Sequence, residues 1–238
     1  MKRPEFLVDF SEAAATTPRD GLPDSPSFQR NHRPILDVLI PWLAHRSGDV
    51  VEIGSGTGQH LVAFAEALPG LTWWPSDPSA EHVAIIARRR SAGAPANVMP
   101  PVLLDAAGDD WQFGTGDRPP AAGLAAMLCI NVLHIAPWTV TGGLVRGASR
   151  HLAPGGCLFV YGPFKRDGAQ TSPGNAAFDE SLRARNPDWG VRDVAEVEAE
   201  ANRTGLQLAE TRSMPANNLT LVFQPGARAV ADRDRQSW

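Results

Sequence analysis

The string Val50-Val51-Glu52-Ile53-Gly54-Ser55-Gly56-Thr57-Gly58-Gln59-His60 sets one acid and three glycines between an apolar run and a stretch of helical periodicity. Glycines at such a turn allow positive φ and let a ligand lie against the backbone, while the helix that follows presents unpaired N–H groups and a positive dipole end. That suits a ligand carrying a carboxylate or phosphate. The spacing is G-x-G-x-G, without the third glycine of the dinucleotide pattern G-x-G-x-x-G, and Glu52 two residues before Gly54 suits a cationic end. An amino-acid ammonium matches this better than a pyrophosphate. Asp77 closes a second apolar run a little over 20 residues beyond Gly54, where an acid can accept from both hydroxyls of a ribose. Asp105 closes a third run and can accept from an adenine amino group, with Ala106 offering a backbone N–H. With Ser55 and Thr57 in the turn, these strand ends outline a pocket for an adenosyl amino acid. Taken singly each piece has a plainer reading, a glycine turn that lets a helix pack close or an Asp that caps the next helix. Order and spacing together favour the cofactor.

The elements that must position these residues are short apolar runs, DVVEI, LTWWPSD, VMPPVLLD, GLAAMLCIN and CLFVYG, alternating with the helical stretches HLVAFAEAL, AEHVAIIARRR and VTGGLVRGASRHL. Strand-helix alternation with runs apolar on both faces implies a doubly wound, mostly parallel α/β sheet covered by helices on both sides. GLQLAETRSM and NNLTLVFQ flank a Pro-Ala-Asn turn and predict an antiparallel hairpin at the end of a seven-stranded sheet. A helix is expected from Pro34, before the first strand. Residues 1–30 read as an irregular N-terminal arm and possible lid, residues 31–224 as the folded domain with an insertion at 163–193, and residues 225–238 as a flexible polar tail.

A chain of 238 residues with 43% hydrophobic composition suffices for one substantial core. Its net charge of −4 disfavours nucleic acid as a partner, and no run approaches the roughly 18 apolar residues of a membrane helix. The apolar stretch after Met1 is broken by Glu5 and Asp9, too short for a secretory core. Cys129 and Cys157 each sit inside an apolar run and read as reduced core thiols, with no metal site implied, so a cytoplasmic protein is expected.

From Glu52 to Asn131 the signature resembles that of the class I S-adenosylmethionine-dependent methyltransferases, over roughly residues 30–224. The resemblance implies the Rossmann-like methyltransferase fold, S-adenosylmethionine as cofactor, S-adenosylhomocysteine as product, and Asn131 as a further cofactor contact. The strings SPSFQRNHRPIL, NVLHIAPW, NAAFDESLRARNPDWGVRD and MPANNLTLVF are similar to those of a small methyltransferase-like family defined as a domain of unknown function. That narrower resemblance names no substrate.

Methyl transfer from a sulfonium is an in-line displacement, so the protein chiefly aligns the nucleophile, excludes water and removes a proton where the acceptor carries one. The loop from Asn131 to Trp138 leaves the sheet at its carboxyl edge, where His134 is a candidate base and Trp138 a candidate wall. Tyr161, the only tyrosine, is a candidate donor to a substrate oxygen. Within 163–193, Asn175, Phe178, Asp179 and Arg183 fall at three- and four-residue spacings and read as an acceptor lid, or equally as a solvated helix with an ordinary Asp179–Arg183 pair. Asn217 borders the final hairpin near the same edge. The chain lacks an N-P-P-Y or D-P-P-Y string and a Pro-Cys nucleophile, which disfavours methylation of nucleic-acid bases. A small-molecule acceptor is expected; the alternatives are a nicotinamide-dependent oxidoreductase and a non-catalytic S-adenosylmethionine sensor or scaffold.

Overall fold

The computed structural model describes residues 21–226. Its first element, α1, is an 18-residue helix, Pro26–Leu43, whose N-cap Ser25 accepts from the Phe28 amide through its hydroxyl. Pro26 sits at the first helical turn, where the missing N–H costs nothing. The helix expected from Pro34 therefore starts eight residues earlier, and 26–30 belong to the fold rather than to an irregular arm. The Ser-Pro cap outweighs the break expected at Pro34, which lies inside the helix with Pro41. Buried Asn31, Ile35, Val38, Leu39 and Leu43 mark the face that meets the sheet. Of the rest of the arm, residues 21–25 lead into α1 and residues 1–20 lie outside the described residues.

Five strands follow in parallel: β1 (Gly48–Ile53), β2 (Leu71–Asp77), β3 (Val102–Leu103), β4 (Leu124–Ile130) and β5 (Leu152–Arg166). They alternate with α2 (Gln59–Ala67), α3 (Ala80–Ser91) and α4 (Trp138–His151). Beyond β5 lie β6 (Ala169–Gln170), α5 (Pro173–Arg185), β7 (Arg192–Asp193) and α6 (Val194–Arg203), and then β8 (Leu206–Met214) and β9 (Asn218–Pro225). The sheet runs β3-β2-β1-β4-β5-β9-β8, the expected seven strands closing on an antiparallel hairpin, with two-residue β6 and β7 added beside β5. β3 is far shorter than its apolar run suggests, since Pro100 and Pro101 supply no N–H donors and leave upstream only a bridge from Trp73 to Val98. β5 continues through Arg166, so the first four residues of the expected insertion are strand.

Two apolar clusters fill the two faces. Val50 joins Ile35, Leu39, Leu61, Phe64 and Phe159 on one face, while Val51 and Ile53 join Met127, Leu144, Val160, Val197 and Phe223 on the other. That alternation is the pleat of β1 read through a sheet covered on both sides. All seven residues of β4 are buried, Cys129 among them, and Cys129 and Cys157 are free thiols. Because β1 is flanked by β2 on one side and β4 on the other, the chain reverses winding there, and the crevice outside the carboxyl ends of β1 and β4 is where an open sheet of this kind binds ligands. Among the described residues no helix is long and apolar enough to cross a membrane, and no cluster of His, Cys, Asp and Glu is arranged to hold a metal. The expected tail begins at the last residue of β9; residues 227–238 lie outside the described residues.

The loop after β3 lies against α4 at its glycines. A Cβ on Gly143 would sit 1.8 Å from the Ala106 carbonyl oxygen, and one on Gly147 2.1 Å from Trp111. Alanine ordinarily favours a helix over glycine by about 1 kcal/mol. Here Gly143→Ala is expected to destabilise the protein by about 1–3 kcal/mol in urea unfolding, because backbone must move to admit one methyl group. An unchanged midpoint would show that the 105–107 loop yields freely.

Candidate cofactor and acceptor site

β1 delivers Glu52 and then a turn in which Gly54, Gly56 and Gly58 all have left-handed backbone, at φ +71, +55 and +76. The turn is stitched down by backbone bonds from Ser55 N–H to Ser76 O and from Gly58 N–H to Ser55 O, both 2.8 Å. A Cβ on Gly54 would lie 2.6 Å from a Val132 methyl, so that glycine lets the turn approach the loop after β4. A Cβ on Gly58 would meet Ile86 at 3.1 Å, which is the helix-packing role. Asp77, at the end of β2, accepts from the Gly56 amide at 2.8 Å and from the Ser79 amide and His82 Nδ1 at 2.9 Å. Asp105 is exposed and accepts from Ala107 N–H at 2.9 Å through one oxygen. Asn131 has φ +58 and donates its amide to the Tyr161 carbonyl, which binds the loop after β4 to β5.

These strand ends open on a cavity of about 530 Å³. Its lining includes Glu52, Gly54, Ser55, Gly56, Thr57, Asp77, Asp105, Ala106 and Asn131 from the expected cofactor set, and His134, Tyr161, Asn175 and Phe178 from the expected acceptor set. The structure does not bring Gly58, Trp138, Asp179, Arg183 or Asn217 to that lining. Asp179 is a structural hub: its carboxylate pairs with Lys165 at 3.0 Å and Arg183 at 3.2 Å and accepts from Gln170 Nε2 and Val191 N–H. Asp179 and Arg183 thus match neither reading: α5 turns its Asn175 and Phe178 face to the cavity, while the Asp179 carboxylate is buried in a structural network and only the Arg183 end of the pair is exposed. Trp138 lies under the Arg192 guanidinium, 5.7 Å from ring centroid to Cζ, and packs on the core. Asn217 turns its carbonyl to the Asn175 side chain, and Asn218 lines the cavity in its place. Sequence reasoning missed Arg30, Asn31 and His60. The signal available was helical: with Ser25 as the cap, Arg30 and Asn31 fall on α1 within reach of the sheet edge.

The family model described as a protein of unknown function, DUF938, matches residues 23–225. The chain belongs to the DUF938 family. In fold this DUF938 protein is similar to human N-acetylserotonin methyltransferase, solved with S-adenosylmethionine, at 13% identity and TM-score 0.67 over 84% of this chain and 53% of that one. It is similarly related to the apo S-adenosylmethionine-dependent methyltransferase SibL, at 20% identity and TM-score 0.66 over 84% of this chain and 56% of that one. The DUF938 chain thus spans a little over half the length of these two. A chain from a complex containing the Haloferax volcanii Trm112 methyltransferase activator matches end to end, at 18% identity and TM-score 0.66, with 95% of this chain and 100% of that one covered. The fold is the Rossmann-like methyltransferase fold.

Electrostatically the DUF938 site has two ends. At the sheet switch point, Glu52 is 1% exposed and its Oε2 has no hydrogen-bond partner. Burial, with the Asp77 charge nearby, pushes its pKa up to about 8 against the pull of a Ser55 hydrogen bond. At the other end His134 is buried and stands edge-to-face with Phe178, ring centroids 5.5 Å apart. Burial, with Arg192 and Arg185 adding repulsion, holds its pKa down at about 4, so the imidazole is neutral at physiological pH. Arg192 sits behind it, donating to the carbonyls of Leu133, Ala136 and Asp188 and so fastening the loop that carries His134.

The Glu52 shift has a stability consequence whose sign is fixed. A carboxyl held protonated in the native state but free to ionise when unfolded makes the native state bind more protons between pH 4.5 and about 8, so stability falls as pH rises through that window. The ligand-free protein is expected to lose up to about 1.4 kcal/mol per pH unit from this group, and Glu52→Gln is expected to remove that slope. Denaturant unfolding of both proteins at a series of pH values measures it; equal slopes would show that Glu52 ionises freely.

Proposed function

We propose that this DUF938 protein transfers the methyl group of S-adenosylmethionine to a small-molecule acceptor. The observation that carries the reading is Glu52, a buried acid that lines a cavity beside a glycine turn and whose Oε2 has no hydrogen-bond partner. Leaving such an atom unsatisfied costs roughly 1–3 kcal/mol, which a ligand ammonium would recover. The rest of the lining fits the same cofactor. Asp77 keeps acceptor capacity beyond its three protein donors for ribose hydroxyls, the second oxygen of Asp105 and the Ala106 amide suit adenine, and the open amides at the start of α2 suit a carboxylate. A cavity of about 530 Å³ is in the ordinary range for small-molecule sites and supports a small acceptor over a folded macromolecule. The free, buried cysteines are compatible with the reducing cytoplasm.

When bound, S-adenosylmethionine supplies an electrophilic methyl group on a sulfonium. The protein's share is placement and proton handling. Asn131 and the glycine turn hold the methionyl end, and Phe178 and Ile135 exclude water from the acceptor end. Neutral His134 accepts a hydrogen bond from the acceptor's O–H, N–H or S–H, orients its lone pair and takes the proton as the new bond forms. Since that role needs the neutral ring, the rate should be insensitive to His134 titration above about pH 5 and fall as pH drops through about 4.

Isothermal titration tests the cofactor half. At pH 7 an ammonium placed beside Glu52 is expected to ionise it, so binding should release up to about one proton, seen as a binding enthalpy that depends on the ionisation enthalpy of the buffer. Glu52→Gln should abolish the release and weaken binding by about 1–3 kcal/mol. Tighter binding of NAD than of either adenosyl ligand would move the assignment to an oxidoreductase. For catalysis, His134→Gln is expected to lower kcat by roughly 10²-fold or more while cofactor affinity stays within about 0.5 kcal/mol. Production of S-adenosylhomocysteine from a pool of metabolites is the readout, and binding without turnover from any pool would make the protein a sensor.

A further inference from the structure

Among the described residues Arg30 is the only lysine or arginine that lines the cavity, and nothing was expected of it from sequence. It stands exposed on α1 and takes part in no ion pair among the described residues. The other cations near this end are committed elsewhere: Lys165 and Arg183 to Asp179, and Arg192 to the carbonyls of the His134 loop. Arg30 also lies close enough to Tyr161 for its charge to favour the phenolate, against the burial that raises that group's pKa.

Around Arg30 the wall is built from donors. Asn31 and Asn218 line the cavity with Tyr161, and both favour its phenolate against the burial that raises its pKa. Asn31 is free to present its amide there because its carbonyl oxygen is occupied by His60 Nε2 at 2.7 Å, and burial keeps His60 neutral and its pKa down at about 3. Asn218 is steadied by its own amide bond to the Pro215 carbonyl at 3.2 Å. The opposite end carries Glu52, Asp77 and Asp105, all acceptors once ionised. The cavity is therefore polarised, acidic where the cationic cofactor is placed and donor-rich where the acceptor must enter.

We infer that the acceptor is a small carboxylate whose anionic group is bound by the Arg30 guanidinium together with the Tyr161 hydroxyl. One guanidinium and one phenol match the single charge and two oxygens of a carboxylate. A phosphate dianion would need more donors than this wall holds and would stand against the acids in the same cavity. Arg30 is a specificity residue in this assignment, which rests on the methyltransferase reading for the word acceptor but not for the anion subsite itself.

The test is a binding experiment on the full chain with and without S-adenosylhomocysteine, using three carboxylates against their uncharged amides: benzoate and benzamide, phenylacetate and phenylacetamide, hexanoate and hexanamide. At least one carboxylate is expected to bind tenfold or more tightly than its amide. Arg30→Gln should reduce that ratio to near one, and Arg30→Lys should keep part of it while losing the paired geometry of the guanidinium. Unchanged S-adenosylhomocysteine affinity in both variants reports that the fold is intact. No carboxylate preferred over its amide, or a preference that survives Arg30→Gln, overturns the subsite. If S-adenosylhomocysteine fails to bind while an Arg30-dependent preference persists without it, the subsite stands and the methyltransferase reading falls.

Discussion

The hydrogen bond from the Gly56 amide to the Asp77 carboxylate, 2.8 Å long, ties the end of β1 to the end of β2 at the point where the sheet reverses its winding. The glycine turn has no side chains of its own with which to hold a shape. Three residues at positive φ would be a loose loop if they were not stitched to Ser76 and Asp77 on the neighbouring strand. The other oxygen of Asp77 accepts from Ser79, the N-cap of α3, and from His82 on that helix. One buried carboxylate thus sets the turn and the entry of the next helix at once, and the positions of Glu52 below and Asp105 beside it follow from the parallel register of β1, β2 and β3.

Among the buried side-chain atoms that lack a partner, Glu52 Oε2 is the one on a residue that lines the cavity. An apolar residue would pack there without an orphaned polar atom, and natural sequences keep such mismatches mainly where a ligand resolves them. His134 is the matching case at the far end. Its ring is kept uncharged by burial and by two arginines that do not themselves line the cavity. Arg192 does two things from outside the site: its donors tie down the turn from Leu133 to Ala136, and its charge disfavours a proton on the imidazole in front of it. Burial thus acts on the two groups with opposite consequences, holding an acid protonated at Glu52 and a base neutral at His134.

The part of the cavity proposed for the cofactor was legible as a cluster because its determinants are local. Glu52 to Gly58 is one contiguous string, and Asp77 and Asp105 are each the last residue of an apolar run, so strand ends read from periodicity locate them directly. Gly58 was the exception, since helix packing against Ile86 and ligand approach ask the same residue type of the same turn. The part proposed for the acceptor is assembled from α1, β5, α5 and the start of β9, and their meeting is a tertiary fact that spacing along one element does not encode. Phe178 and Asn175 were legible from a helical face, while Asp179 and Arg183 on the same helix turn to Lys165 and solvent. Arg30 and Asn31 were lost to the prolines around them, because Pro34 looked like a helix start and is instead an interior residue of a helix begun by Ser25 and Pro26.

Residues 23–25, just ahead of α1, explain why that helix belongs to the site rather than to a detachable arm. Gln59, the first residue of α2, accepts from the Ser25 amide and donates to Asp24, both at 2.7 Å. Arg89 on α3 donates to the Pro23 carbonyl and to the Thr57 carbonyl within the glycine turn. The start of α1 is therefore fastened to α2 and α3 by three hydrogen bonds, and a fourth, from Arg89 to Thr57, continues the connection to the glycine turn. Any shift of the turn that accommodates a ligand carries Arg30 and Asn31 with it, and any shift of α1 reaches Thr57. The walls proposed for cofactor and acceptor are separate in sequence but mechanically continuous, which is what the proposed in-line displacement between two bound molecules would require of its container.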